Sequence, residues 1–140
     1  NKIIKCLNVP SKKVDALPKG EMDLNHLNQL LSENSDRPAI IVCNLGTTMK
    51  GALDDLEGIK KTLLNNNIKN HYIHADAALS GMILPFVKDP QPWSFPHGID
   101  SISVSGHKMI GSPIPCGVVL AKRKKISVFS RMIWEIFGTP

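Results

Sequence analysis

Ala39-Ile40-Ile41-Val42-Cys43-Asn44-Leu45 is the stretch that decides the fold. It is rich in β-branched residues and apolar at successive positions, so it offers hydrophobic side chains to both faces of a sheet, as a central parallel strand with helices above and below requires. The polar cluster Gly46-Thr47-Thr48 falls at its carboxyl end. Upstream, Leu24, Leu27, Leu30 and Leu31 form one helical stripe behind the capping residue Asp23, and Asn34-Ser35-Asp36 closes that helix. Downstream, Leu53, Leu56, Ile59, Leu63 and Leu64 mark a second amphipathic helix. Asp54, Asp55 and Glu57 occupy its first turn, where the helix dipole favours anions.

Working outward, Tyr72-Ile73-His74-Ala75 reads as the next strand and is followed at once by Asp76. Ile99 to Val104 reads as another, running into Ser105-Gly106-His107-Lys108, and Ile3 to Val9, stopped by Pro10, as a short one near the start. Alternating strands and helices predict an α/β fold, a mostly parallel sheet with flanking helices. One connection differs. Between Ser105 and a last strand at Gly117–Ala121 lie about ten residues with two prolines, too few and too broken for the crossover helix of a parallel pair. The last strand is therefore expected to be antiparallel.

The chain has 140 residues, enough for one compact unit. Its hydrophobic content of 42% and charged content of 21% are those of an ordinary globular protein. The net charge of +5 is uneven, because Lys122, Arg123, Lys124, Lys125 and Arg131 against Glu135 place most of it after residue 121. A short basic patch of this kind is more often a solvated surface than a nucleic-acid footprint, so no nucleic-acid partner is expected. Cys6, Cys43 and Cys116 are odd in number and far apart, which suggests neither a disulfide framework nor a zinc site and fits a reducing cytoplasm. His26, His71 and His97 read as surface or loop residues, with no pair at metal-ligand spacing. Ala77 to Val87 is broken by Ser80, Gly81 and Pro85 and is far short of the roughly 20 residues of a membrane span, so no membrane partner is expected. The opening Asn1-Lys2-Ile3 already reads like a strand, suggesting a fragment that begins inside a larger protein.

In open α/β sheets ligands bind outside the carboxyl ends of the strands. Three strands here end in chemistry: Thr47 and Thr48 after the first, Asp76 after the second, and Ser105, His107 and Lys108 after the third. A hydroxyl, a carboxylate and an amine at one rim suit pyridoxal phosphate, which needs a lysine for its Schiff base and an anion against its pyridine nitrogen.

With these residues in view, His74-Ala75-Asp76-Ala77-Ala78 resembles the H-x-D-A-A segment of the group II pyridoxal-phosphate decarboxylases, and Ser105-Gly106-His107-Lys108 resembles their Schiff-base segment. The longer stretches Asp76 to Met82 and Ser103 to Gly117 are similar to the bacterial histidine decarboxylases of that family. The resemblance covers residues 1–125, which it makes the central part of the large, pyridoxal-phosphate-binding domain of a fold-type I enzyme. It leaves 126–140 as a divergent or truncated tail. It implies that Lys108 carries the cofactor and is the catalytic residue, and that Asp76 faces the pyridine nitrogen. It also implies that Ala78 packs on the ring, Thr48 lies near the 3-oxygen, Ser105 binds the phosphate and His107 flanks the site. His74 is either a further site residue or a buried histidine ahead of Asp76. No metal is implied.

The activity implied is decarboxylation of L-histidine to histamine and carbon dioxide by an enzyme that is at least a homodimer. Serine or an aromatic amino acid is the alternative substrate. A reading of another class is a basic α/β binding module without enzyme activity, contacting anionic partners through Lys122–Lys125. The family's ring-stacking histidine and small carboxyl-terminal domain have no counterpart in these residues, so the fragment alone is expected to be inactive.

Overall fold

The computed structural model describes residues 8–123. Six main elements follow in chain order: α1 (Leu24–Ser32), β1 (Ala39–Asn44), α2 (Leu56–Asn65), β2 (His71–Asp76), β3 (Ser101–Ser105) and β4 (Gly117–Ala121). They form a four-stranded sheet in the order β1-β2-β3-β4. β1 and β2 pair in parallel from Ala39 opposite His71 to Asn44 opposite Asp76, and β2 and β3 are also parallel. The fold class is as expected, a mixed α/β sheet with flanking helices. β4 runs antiparallel to β3, with Ile102 opposite Leu120, as the proline-broken link demands, and no helix forms within residues 106–116.

The helices start where their caps dictate. Asp23 accepts hydrogen bonds from the amides of Asn25 at 2.8 Å and His26 at 3.3 Å, satisfying donors that the first turn leaves free. Asp55 caps α2 by accepting from Gly58 N–H at 3.0 Å. Leu27 and Leu31 of α1 and Leu56, Ile59 and Leu63 of α2 bury against Ile41 and Cys43 of β1 and Ile73 and Ala75 of β2. This is one core on one face of the sheet. Burial and the nearby Asp54 carboxylate push the Cys43 thiol up to about 12, so it packs as an inert, neutral group.

Several expectations need correction. β1 is an edge strand of the described sheet, not a central one. Ile40 is 71% and Val42 50% exposed, because both helices pack on the opposite face, that of Ile41 and Cys43. α2 begins at Leu56, so Leu53 and Asp54 lie outside it. Leu53 instead bridges Leu45, Asp54 is buried, and Leu64 points into solvent. β3 starts at Ser101, because the preceding Asp100 turns its side chain inward and accepts from Ile73 N–H at 3.0 Å. His71 is the first residue of β2, with its ring Nδ1 3.0 Å from the Ile68 carbonyl oxygen. The expected strand at Ile3–Val9 falls mainly on residues outside the described ones, and Asn8 and Val9 are not extended in a sheet. The tail 126–140 lies wholly outside them.

Candidate functional site

β1 and β2 end level with each other, since Asn44 is the register partner of Asp76. Side chains of parallel partners share a face, and Asn44 and Asp76 stand on the face away from the helices, alternating with buried Cys43 and Ala75. Beyond this level edge the chain turns twice. After β1, the amides of Gly46 and Thr47 both donate to the Ala52 carbonyl at 2.9 and 3.0 Å, and Thr47 Oγ1 accepts from Ala52 N–H at 3.0 Å. The result is a tight hairpin with Thr48 at its exposed tip. After β2, Asp76 Oδ1 accepts from Ala78 N–H at 3.1 Å, an aspartate turn that fixes the carboxylate and folds residues 77–81 over the rim.

The two turns lean on each other. Ser80 Oγ donates to the Leu45 carbonyl, and Leu45 N–H donates to the Asp76 carbonyl at 2.8 Å. Gly46 adopts φ of +97°, and a Cβ there would meet Ser80 Oγ at 2.6 Å. Only glycine gives both the left-handed backbone and the space. A third segment completes the rim. Gly106 N–H donates to the Cys116 carbonyl at 3.1 Å and Ser112 N–H to the Gly106 carbonyl at 3.0 Å, closing the link after β3 into a loop that presents Lys108.

Between these turns lies a cavity of about 180 Å³ lined by Asn44, Gly46, Thr47, Thr48, Asp76, Ala78, Leu79 and Lys108. Five of the residues singled out from sequence, Thr47, Thr48, Asp76, Ala78 and Lys108, therefore share one space. Ser105 and His107 do not line it. Ser105 ends β3 opposite Gly117. His107 is exposed, with ring Nδ1 3.0 Å from the Cys116 carbonyl oxygen and 3.2 Å from its amide nitrogen, so its ring helps close the Lys108 loop. His74 stands one layer below Asp76 on the same face, with Nδ1 2.7 Å from Ser101 Oγ. Burial lowers its pKa, while the Asp76 carboxylate opposes that shift. Asn44 and Leu79 escaped the reading of the sequence. Asn44 could have been found, because it closes the strand that leads to Thr47 and Thr48.

The donor set fits pyridoxal phosphate: a carboxylate for a pyridine nitrogen, an amine for an aldehyde, and a hydroxyl and a small residue between them. Among the described residues no cluster of histidine, cysteine, aspartate or glutamate could hold a metal, and no helix is long and apolar enough to cross a membrane.

Fold and rim together define the class, a portion of a fold-type I pyridoxal enzyme. The chain belongs to the pyridoxal-dependent decarboxylases, whose conserved domain matches residues 1–133. It is 52% identical over 132 residues to the histidine decarboxylase of Vibrio anguillarum, covering 93% of this chain and 34% of that protein. To the histidine decarboxylase of Pseudomonas fluorescens it is 54% identical over 131 residues, covering 92% and 32%. Among solved structures, the glutamate decarboxylase domain of diaminobutyrate-pyruvate transaminase and L-2,4-diaminobutyrate decarboxylase from Vibrio parahaemolyticus aligns with a TM-score of 0.63 at 30% identity, over 84% of this chain and 25% of that one. The chain thus spans about a third of the length of the two curated relatives.

Proposed function

We propose that the full-length protein removes the carboxylate of L-histidine as carbon dioxide to give histamine, and that the cavity between the three turns holds pyridoxal phosphate for this reaction. The convergence of Asp76 and Lys108 on one cavity supports the cofactor. The identity of 52–54% to histidine decarboxylases over nearly all of this chain supports the substrate. The serine and aromatic alternatives have no comparable support. Lys122, the first residue of the basic patch, is engaged with the Asp100 carboxylate at 3.6 Å, which weakens the binding-module reading.

When bound, the cofactor supplies an electron sink for the pair released as the bond from Cα to the carboxylate breaks. Lys108 would hold it covalently through its ε-amine and is free to swing, since its side chain is exposed. Asp76 would keep a proton on the pyridine nitrogen. The bond from Ala78 N–H to Asp76 Oδ1 would hold the carboxylate in place for that role. Ala78 and Thr48 would bracket the ring, Ala78 by contact and Thr48 by its hydroxyl near the 3-oxygen. Ser105 is assigned to the phosphate and His107 to the flank of the site through its place in the Lys108 loop. Residues 1–125 would form the central part of the cofactor domain, in a cytoplasmic enzyme that is at least a dimer.

The test is a pair of measurements on the full-length protein. Titration with pyridoxal phosphate should produce a visible absorbance band, and histamine should form from histidine while serine and aromatic amino acids give no amine. Amine formation from serine alone would overturn the substrate. Absence of any cofactor band would overturn the reading of the cavity.

A further inference from the structure

One buried ionisable group takes no part in the proposed chemistry and yet touches the wall of the cavity. Asp54 is 1% exposed, and both of its oxygens accept from main-chain amides, Oδ1 from Met22 N–H at 2.7 Å and Oδ2 from Asn44 N–H at 2.6 Å. The Asn44 side-chain amide approaches Oδ2 at 3.4 Å, and Asp54 N–H donates in return to the Asn44 carbonyl at 2.9 Å.

Position explains this pattern. Leu45 N–H is directed at β2, so the main-chain groups of the preceding residue, Asn44, face the other way, away from β2 and off the edge of the described sheet. A further strand would normally satisfy them. Here a single residue does so, its own N–H taking the carbonyl and its carboxylate taking the amide. Asp54 also closes the hairpin begun by the Leu45 bridge to Leu53 and the Gly46 and Thr47 bonds to Ala52. That hairpin carries Asn44, Thr47 and Thr48, one whole wall of the cavity, and Leu45 ties it to the Asp76 carbonyl.

We propose that Asp54 is a positioning residue for the cofactor: by pairing with the main chain of Asn44 at the end of β1 it fixes the Asn44–Thr48 wall against Asp76. This rests on the cavity being the pyridoxal-phosphate site. An apolar residue at 54 would take these acceptors from two partly buried main-chain amides, and an asparagine would turn one of its amide protons toward a main-chain donor.

The experiment measures the dissociation constant for pyridoxal phosphate in the full-length protein, at a temperature where every variant is folded. It compares wild type, Asp54→Asn, Lys108→Ala and the core control Leu27→Ala, which loosens α1 without touching the cavity. Asp54→Asn should weaken binding by about 10- to 100-fold, the range seen when an outer partner is lost at metal sites, while Leu27→Ala lowers the melting temperature and leaves the constant unchanged. If Asp54→Asn does not fold, Asp54→Glu, which keeps the charge but lengthens the arm, carries the same expectation. Equal constants for the Asp54 variant and the core control would overturn the proposal and leave the cavity assignment standing. Indistinguishable binding by wild type and Lys108→Ala would overturn the cavity assignment, and this proposal with it.

Discussion

Lys108 is exposed on a loop held by main-chain bonds at Gly106 and Ser112. Its truncation to alanine therefore removes chemistry and no packing. In the full-length protein, Lys108→Ala should abolish the proposed histamine formation and change stability by no more than about 0.5 kcal/mol, the range of surface substitutions, as activity assays and urea melts would read. Asp76→Asn should also cripple turnover, since an amide cannot hold the pyridine proton, and assays at saturating cofactor would show it. His74 offers a pH signature. Its pKa is lowered by burial, so at acid pH the unfolded chain binds a proton that the folded chain resists. Its contribution to stability is complete above the ordinary histidine value of about 6.5 and is lost as pH falls below it. Replacing His74 by Asn should flatten the decline in melting temperature between neutral and mildly acid pH, and an unchanged decline would refute this role. These residues were legible because a strand ending in a lone Asp and another ending in Gly-His-Lys are chemically conspicuous. Asn44 and Asp54 were hidden, since an Asn at a strand end and an Asp before a helix each have an ordinary local explanation.

At the scale of elements, the helices followed from leucine spacing and, for α1, from the cap Asp23, whereas Asp55, read as part of the first turn of α2, is its cap. The antiparallel β4 followed from two prolines and a short link. What misled was the edge of the sheet. The unbroken apolar run at 39–43 is compatible with burial on both faces, yet only its Ile41 and Cys43 side is covered in the described residues. Asp54 and Leu53 fit the helical pattern of α2, but pairing with Asn44 and Leu45 at the end of β1 draws both into a hairpin instead. Tertiary demand outweighed local preference there. That hairpin turns on Gly46, whose φ of +97° and contact with Ser80 exclude a side chain. Gly46→Ala should lower the unfolding free energy by about 1–3 kcal/mol, read by denaturant melts. It should also weaken cofactor binding, because the strain falls on a wall of the cavity.

Across the molecule, a one-sided core beneath the sheet and a polar rim above its carboxyl ends divide the labour. The leucines of α1 and α2 hold β1 and β2 level, and the level strand ends bring three turns around one cavity. The proposed chemistry requires Lys108 to be the point of attachment within that cavity. Reduction of the full-length protein with borohydride in the presence of pyridoxal phosphate, followed by peptide mass mapping, locates that point directly. A single pyridoxyl group on Lys108, absent from the Lys108→Ala variant, is the predicted result. A label on another lysine, or none at all, would contradict it.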